Sequence, residues 1–175
     1  MATTFGSLCL RCAQHGRTCC QRTEIYVTPQ DVQRIRDAAG GEDFFEYCEP
    51  GDPGYTDQSD DPPWQIWVVG DHRRRRVLKH DNRGNCVFLT DAGCRLPLEV
   101  RPLICRLHPH LYNYQGLYPE ISADCPRELL QPQERLDQLI LGFDRENAIR
   151  WHHMLYDEIQ QEGNPHENRI DLRFA

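Results

Sequence analysis

The chain has 175 residues, 12 Pro, 12 Gly and only 39% apolar residues, which leaves room for one compact domain with a thin hydrophobic core that cross-linking would help. Its 20 Lys and Arg against 27 Asp and Glu give a net charge of −7, which argues against a broadly nucleic-acid-binding surface. No run approaches the roughly 18 apolar residues of a membrane span, and MATTFGSLCLRC has neither the basic nor the continuous apolar stretch of a secretory signal, so the expectation is a cytoplasmic protein with no membrane contact.

Residues 7 to 22, SLCLRCAQHGRTCCQR, hold Cys9, Cys12, Cys19 and Cys20. After them Ile25, Tyr26 and Val27 suggest a short strand. Thr28 is placed to cap a helix whose first turn takes Pro29, whose apolar face carries Val32 and Ile35, and which Gly40-Gly41 stops. A second short helix is expected through Phe44, Phe45 and Tyr47, ending at Cys48. Residues 49 to 63, EPGDPGYTDQSDDPP, have almost nothing to bury and read as a surface loop. Trp64 to Val69 and Arg76 to Lys79 read as two strands of a hairpin around GDHRRRR, and CVFLT at 86 to 90 as a third strand.

Beyond residue 131 the pattern becomes helical. Leu136, Leu139, Ile140 and Phe143, then Ile149, Met154, Leu155 and Ile159, recur at amphipathic spacing, with a break at Gly142 or Asp144. The expected fold class is therefore α+β: short helices and a short antiparallel sheet around a cysteine centre, closed by C-terminal helices. Residues 1–128 form the cysteine-cluster domain in this reading, and residues 129–175 a helical extension packed on it.

The cysteines number nine, an odd count, and no export signal accompanies them, so metal or cluster ligation explains them better than a disulfide framework. Cys9-Leu-Arg-Cys12 is the strongest local signal, because a CxxC turn lets two thiolates reach one metal while backbone amides face the sulfurs. Cys19 and Cys20 are adjacent, and neighbouring side chains of an extended chain point to opposite sides, so the two are expected to serve different roles or sites. The alternative, nine small buried hydrophobes, does not account for the clustering.

A second group runs NCVFLTDAGCRLPLEVRPLICRLHPH, with Cys86, Cys94 and Cys105, and Cys125-Pro126 follows. Over residues 9 to 126 the sequence resembles the YkgJ-type cysteine-cluster family, described as zinc- or iron-chelating. The matching residues are Cys9-x2-Cys12-x6-Cys19-Cys20, Cys86-x-Phe88-Leu89, Gly93-Cys94, Arg101-Pro102-x2-Cys105-Arg106-x-His108-Pro109 and Cys125-Pro126. The resemblance extends distantly to the flagellin lysine methylase, which is thought to carry an iron–sulfur cluster. This chain has His108 where the family usually shows an aromatic, and Leu96-Pro97 where it shows an Ile-Tyr pair, so His108 either packs or ligates.

The resemblance implies a metal centre, an iron–sulfur cluster or zinc, with Cys9, Cys12, Cys19, Cys20, Cys86, Cys94, Cys105 and Cys125 as candidate ligands that converge in space. Four thiolates around one Zn²⁺ leave a charge of about −2, which nearby cations would balance. Arg101 and Arg106 bracket Cys105 as candidates for that role and are expected to favour its thiolate. Cys48 stands outside the motifs and reads as the spare.

Three functions from different classes remain open on the sequence: a metal- or cluster-binding module, an Fe–S-dependent enzyme related to protein lysine methylation, and a zinc-stapled interaction module with a protein partner. HRRRR at 72 to 76 reads as a solvated hairpin tip and not as a nucleic-acid site, and His152-His153 as surface, since adjacent helical residues point about 100° apart.

Overall fold

In the computed structural model the described residues are 6–16, 19–41, 43–52, 54, 57–69, 74–135 and 145–163, with the side chains of 6–9, 69 and 163 set aside. Helix α1 spans Gly6–His15 and α2 spans Pro29–Ala39. The α2 start is fixed by a capping box: Thr28 Oγ1 accepts from the Asp31 amide at 2.9 Å, and the Asp31 carboxylate accepts from the Thr28 amide at 3.2 Å. Val32 and Ile35 are buried, and Gly40, at φ +71°, ends the helix as the sequence predicts.

Strand β1, Phe45–Cys48, pairs antiparallel with β2, Arg75–Leu78, Phe45 opposite Leu78 and Cys48 opposite Arg75. The other edge of β2 takes the extended segment 25–27: the Leu78 amide donates to the Ile25 carbonyl at 2.9 Å and the Val27 amide to the Arg76 carbonyl at 3.0 Å. FEYC is thus a strand after a turn at Phe44, not the expected helix, because β2 offers it a ladder. The hairpin expected from Trp64 is also replaced. Asp61 caps a helical turn α3, Pro62–Trp64, that runs on as a π-helix over Gln65–Val69. Of its β-branched residues Val68 is buried and Ile66 exposed, which is helical and not alternating burial.

The arginine run is no solvated tip in its second half. Arg75 and Arg76 are buried in β2, where Arg75 pairs with Glu24, and Arg76 Nη2 lies 2.6 Å from Glu162.

Two further hairpins follow. Strands β3, Leu89–Thr90, and β4, Gly93–Cys94, are closed by a turn in which Thr90 Oγ1 donates to the Gly93 carbonyl at 2.8 Å. Gly93 sits at φ +91°, a conformation L side chains avoid. Helix α4, Leu103–Leu107, leads into β5, His110–Asn113, which pairs antiparallel with β6, Gly116–Ile121.

The last helix, α5, spans Arg145–Gly163 and buries Ala148, Trp151, Leu155 and Ile159 against Leu103 and Leu107 of α4. Ile149, which the spacing put on the apolar face, is exposed. His152 is buried and not on the surface, its Nε2 2.7 Å from the Asn113 carbonyl. The run from Leu136 to Phe143, and the break expected at Gly142 or Asp144, lie outside the described residues.

The fold class is α+β, with three two-stranded antiparallel sheets and short helices among the described residues. A buried ionic group ties α2, α4 and α5 together. Asp31, fully buried, accepts from the Leu103 amide at 3.1 Å and from Arg34 at 2.6 Å, while Arg34 Nη1 also reaches Glu158 at 2.6 Å. The N-terminus of α4, and with it Cys105, is set by that carboxylate.

Candidate metal centre

The loop 81–85 joins the two cysteine groups. Asp81 Oδ1 accepts from the amides of Arg83 at 2.8 Å and Asn85 at 2.9 Å, closing a tight turn whose Gly84 carbonyl accepts from the Arg22 amide at 2.8 Å. One step along, the Cys86 amide donates to the Cys20 carbonyl at 2.8 Å. Cys20 therefore docks beside Cys86 through backbone bonds. The β3–β4 hairpin sets Cys94 opposite Leu89, and α4 presents Cys105.

Cys86 is buried in the apolar cluster that contains Phe88 and Leu96, with Cys20, Cys94 and Cys105 packed against it. Burial pushes the Cys86 thiol up to about 12, with Cys20 and Cys94 adding to the rise, while backbone bonds at its sulfur from Phe88 and Leu89 oppose it. Burial raises Cys94 too, against the Leu96 backbone and the Arg101 cation. Cys105 is raised well above its usual value by burial and then by Cys20, Cys86 and Cys94. Desolvation dominates there, ahead of any lowering by the neighbouring arginines.

The two arginines have different surroundings. Arg101 Nε donates to the Leu96 carbonyl at 3.0 Å and its charge is felt at Cys94. Arg106 is buried and turns to the Arg101 carbonyl at 2.7 Å and to Glu99 at 3.3 Å.

A second thiol group lies nearby. Cys12 and Cys125 are both buried and share a small cluster with Ile121, Leu129 and Leu130, and His108 Nε2 lies 3.7 Å from Cys125 Sγ. Burial and the neighbouring Cys12 push Cys125 up to about 11. Cys12 is raised by burial, with a smaller rise from Cys20, and its helix α1 packs against β4, the strand of Cys94. Burial lowers His108 and His110, favouring neutral imidazoles.

Cysteines of the N-terminal and central groups thus meet, Cys20 with Cys86, Cys94 and Cys105, and Cys12 with Cys125. Cys19 is exposed while Cys20 is half-buried. Cys9 lies in α1 one turn before Cys12, so the CxxC sits in a helix and not in the turn expected; its side chain is outside those described. Cys48 stands on β1 beside Glu24 and Arg75. Among the described residues no three His, Cys, Asp or Glu side chains are gathered as one metal ion would need.

His80 is bridged across an antiparallel pair to Cys86, and its Nε2 is buried without a hydrogen bond among the described residues.

The model of the CxxCxxCC family, "putative zinc- or iron-chelating domain", matches residues 8–127. The chain belongs to this family. Metal binding is accordingly the general function, and the matched segment includes all nine cysteines. No curated protein and no solved structure matches the chain. Among the described residues no helix is long and apolar enough to cross a membrane.

Proposed function

We propose that this CxxCxxCC protein holds an iron–sulfur cluster on the thiolates of Cys20, Cys86, Cys94 and Cys105. The observation that carries the reading is the shared pocket: four thiols, drawn from both cysteine groups, pack in or against one apolar cluster, and Cys20 adds to the rise at each of the other three. Backbone bonds at the sulfurs of Cys86 and Cys94, and the Arg101 cation beside Cys94, are the stabilisation a cluster of negative thiolates requires.

Four thiolates suit a tetrahedral zinc as well as a cluster. The resemblance to the flagellin lysine methylase, which is thought to carry one, favours the iron–sulfur cluster. Bound there, it would supply electron transfer or a Lewis-acidic iron; the chain supplies dry walls, backbone donors and Arg101.

Anaerobic purification of single variants tests the ligand set. Cys86→Ser and Cys105→Ser each lower bound iron severalfold and bleach the visible absorbance. Full iron content in both variants would contradict the assignment.

A further inference from the structure

Helix α4 carries Cys105, and its own N-cap, Pro102, makes no side-chain cap bond. Its 5 residues are too few to hold a helix in water unaided, so its place is set by what packs on it. Asp31 of α2 supplies the cap from outside: the Leu103 amide lies 3.1 Å from Oδ1 and 3.3 Å from Oδ2. Two residues on, the Cys105 amide donates to the Pro102 carbonyl at 2.9 Å, so the thiol follows the start of the helix.

Asp31 is itself held from α5. Arg34 Nη2 donates at 2.6 Å to Asp31 Oδ1, the oxygen nearer the Leu103 amide. Glu158 engages that guanidinium with both carboxylate oxygens, Oε1 at 2.6 Å from Nη1 and Oε2 at 3.0 Å from Nη2. Its Oε2 also accepts from Thr28 Oγ1, the cap of α2. The Arg34 side chain is a quarter exposed, and a long side chain in that position samples many rotamers unless a paired carboxylate orients it. Glu158 is buried, and the whole of α5 lies outside the family match over residues 8–127.

We propose that Glu158 is a positioning residue for Cys105, acting through Arg34 and Asp31, and that α5 is thereby part of the metal-binding unit. With Glu158 shortened, Arg34 turns to solvent, Asp31 loses its orienting cation, and the start of α4 opens locally while the sheets stay folded. The inference deepens the proposed function: it rests on that reading for Cys105 being a ligand, and on the contacts alone for Glu158 holding Cys105 in place.

The test is alkylation of the full chain, purified anaerobically, with iodoacetamide, followed cysteine by cysteine by peptide mass spectrometry. Glu158→Ala raises the rate at Cys105 about tenfold relative to Cys86, the local opening expected when charge-assisted hydrogen bonds are lost. Glu158→Gln, which keeps an acceptor oxygen for Arg34, falls between Glu158→Ala and the unaltered chain. Tyr156→Phe loosens α5 at its Asp61 contact, leaves Glu158 in place, and does not change the Cys105 rate. Equal Cys105 rates in Glu158→Ala and Tyr156→Phe overturn the positioning role, as does a rise shared equally by Cys105 and Cys86. If Glu158→Ala does not fold, Glu158→Gln against Tyr156→Phe decides. Iron retained in Cys105→Ser sinks the four-thiol reading alone, because the alkylation rates judge Glu158 whether or not Cys105 binds metal.

Discussion

Cys105 and Cys48 are both half-buried thiols, yet their neighbours differ. Cys105 is surrounded by Cys20, Cys86 and Cys94, and Cys48 by Glu24, Arg75 and Glu46. Cys48→Ser therefore leaves metal content unchanged and shifts stability by no more than about 0.5 kcal/mol, as expected of a site outside the core clusters. Iron loss in that variant, measured by metal analysis, would contradict its assignment as a bystander. The fully buried Asp31 carries a larger penalty. Its carboxyl is raised by burial and held by Arg34, and it accepts the Leu103 amide. Asp31→Ala leaves the buried Leu103 amide without its acceptor and takes one of two carboxylate partners from Arg34, which keeps Glu158, so denaturant unfolding should show a loss of about 1–3 kcal/mol. A loss under about 1 kcal/mol would show that the network is dispensable.

At the scale of elements, what was legible in the sequence was whatever had a local cause. Thr28, Pro29 and Gly40 specify α2 by capping and backbone chemistry, and the helix forms where they place it. The segments that failed had a nonlocal cause or a local cap that the strand pattern masked. FFEYC becomes a strand because β2 lies beside it, and WQIWVV coils because Asp61 and Pro62 start a helical turn that α5 covers. The β-branched run read as a strand; the cap before it was the better signal. His152 likewise needed tertiary knowledge, since its partner is a carbonyl of β5. The β3–β4 turn yields a direct test. Gly93 needs its positive φ, and open space surrounds the position, so Gly93→Ala costs about 1–2 kcal/mol through backbone strain alone. It also shifts Cys94, and iron occupancy should fall with it. Unchanged occupancy and melting temperature would contradict the role given to this turn.

For the whole molecule, the thin core is supplemented by buried polar contacts. Burial raises the Tyr26, Tyr112 and Tyr156 hydroxyls above their usual value, and Tyr26 and Tyr156 donate to Glu162 and Asp61 respectively. A tyrosine whose folded pKa is raised contributes stability that is complete below about pH 10 and is lost as pH rises beyond it. These three rings should therefore ionise only together with alkaline unfolding, followed by phenolate absorbance against circular dichroism. All 7 tyrosines titrating near pH 10 in folded protein would contradict this.

That the two cysteine groups meet was an expectation of the family resemblance, whereas their division into two sets was not legible, because it depends on the 81–85 turn and on the docking of α1. The metal question is decided most directly by iron, acid-labile sulfide and zinc analysis of the anaerobically purified full chain, with Mössbauer spectroscopy of ⁵⁷Fe-grown protein. The account predicts a brown protein with iron and sulfide in equal amounts and a spectrum of cysteine-bound cluster iron. Colourless protein with zinc filling the Cys20, Cys86, Cys94 and Cys105 site, and no sulfide, would contradict it.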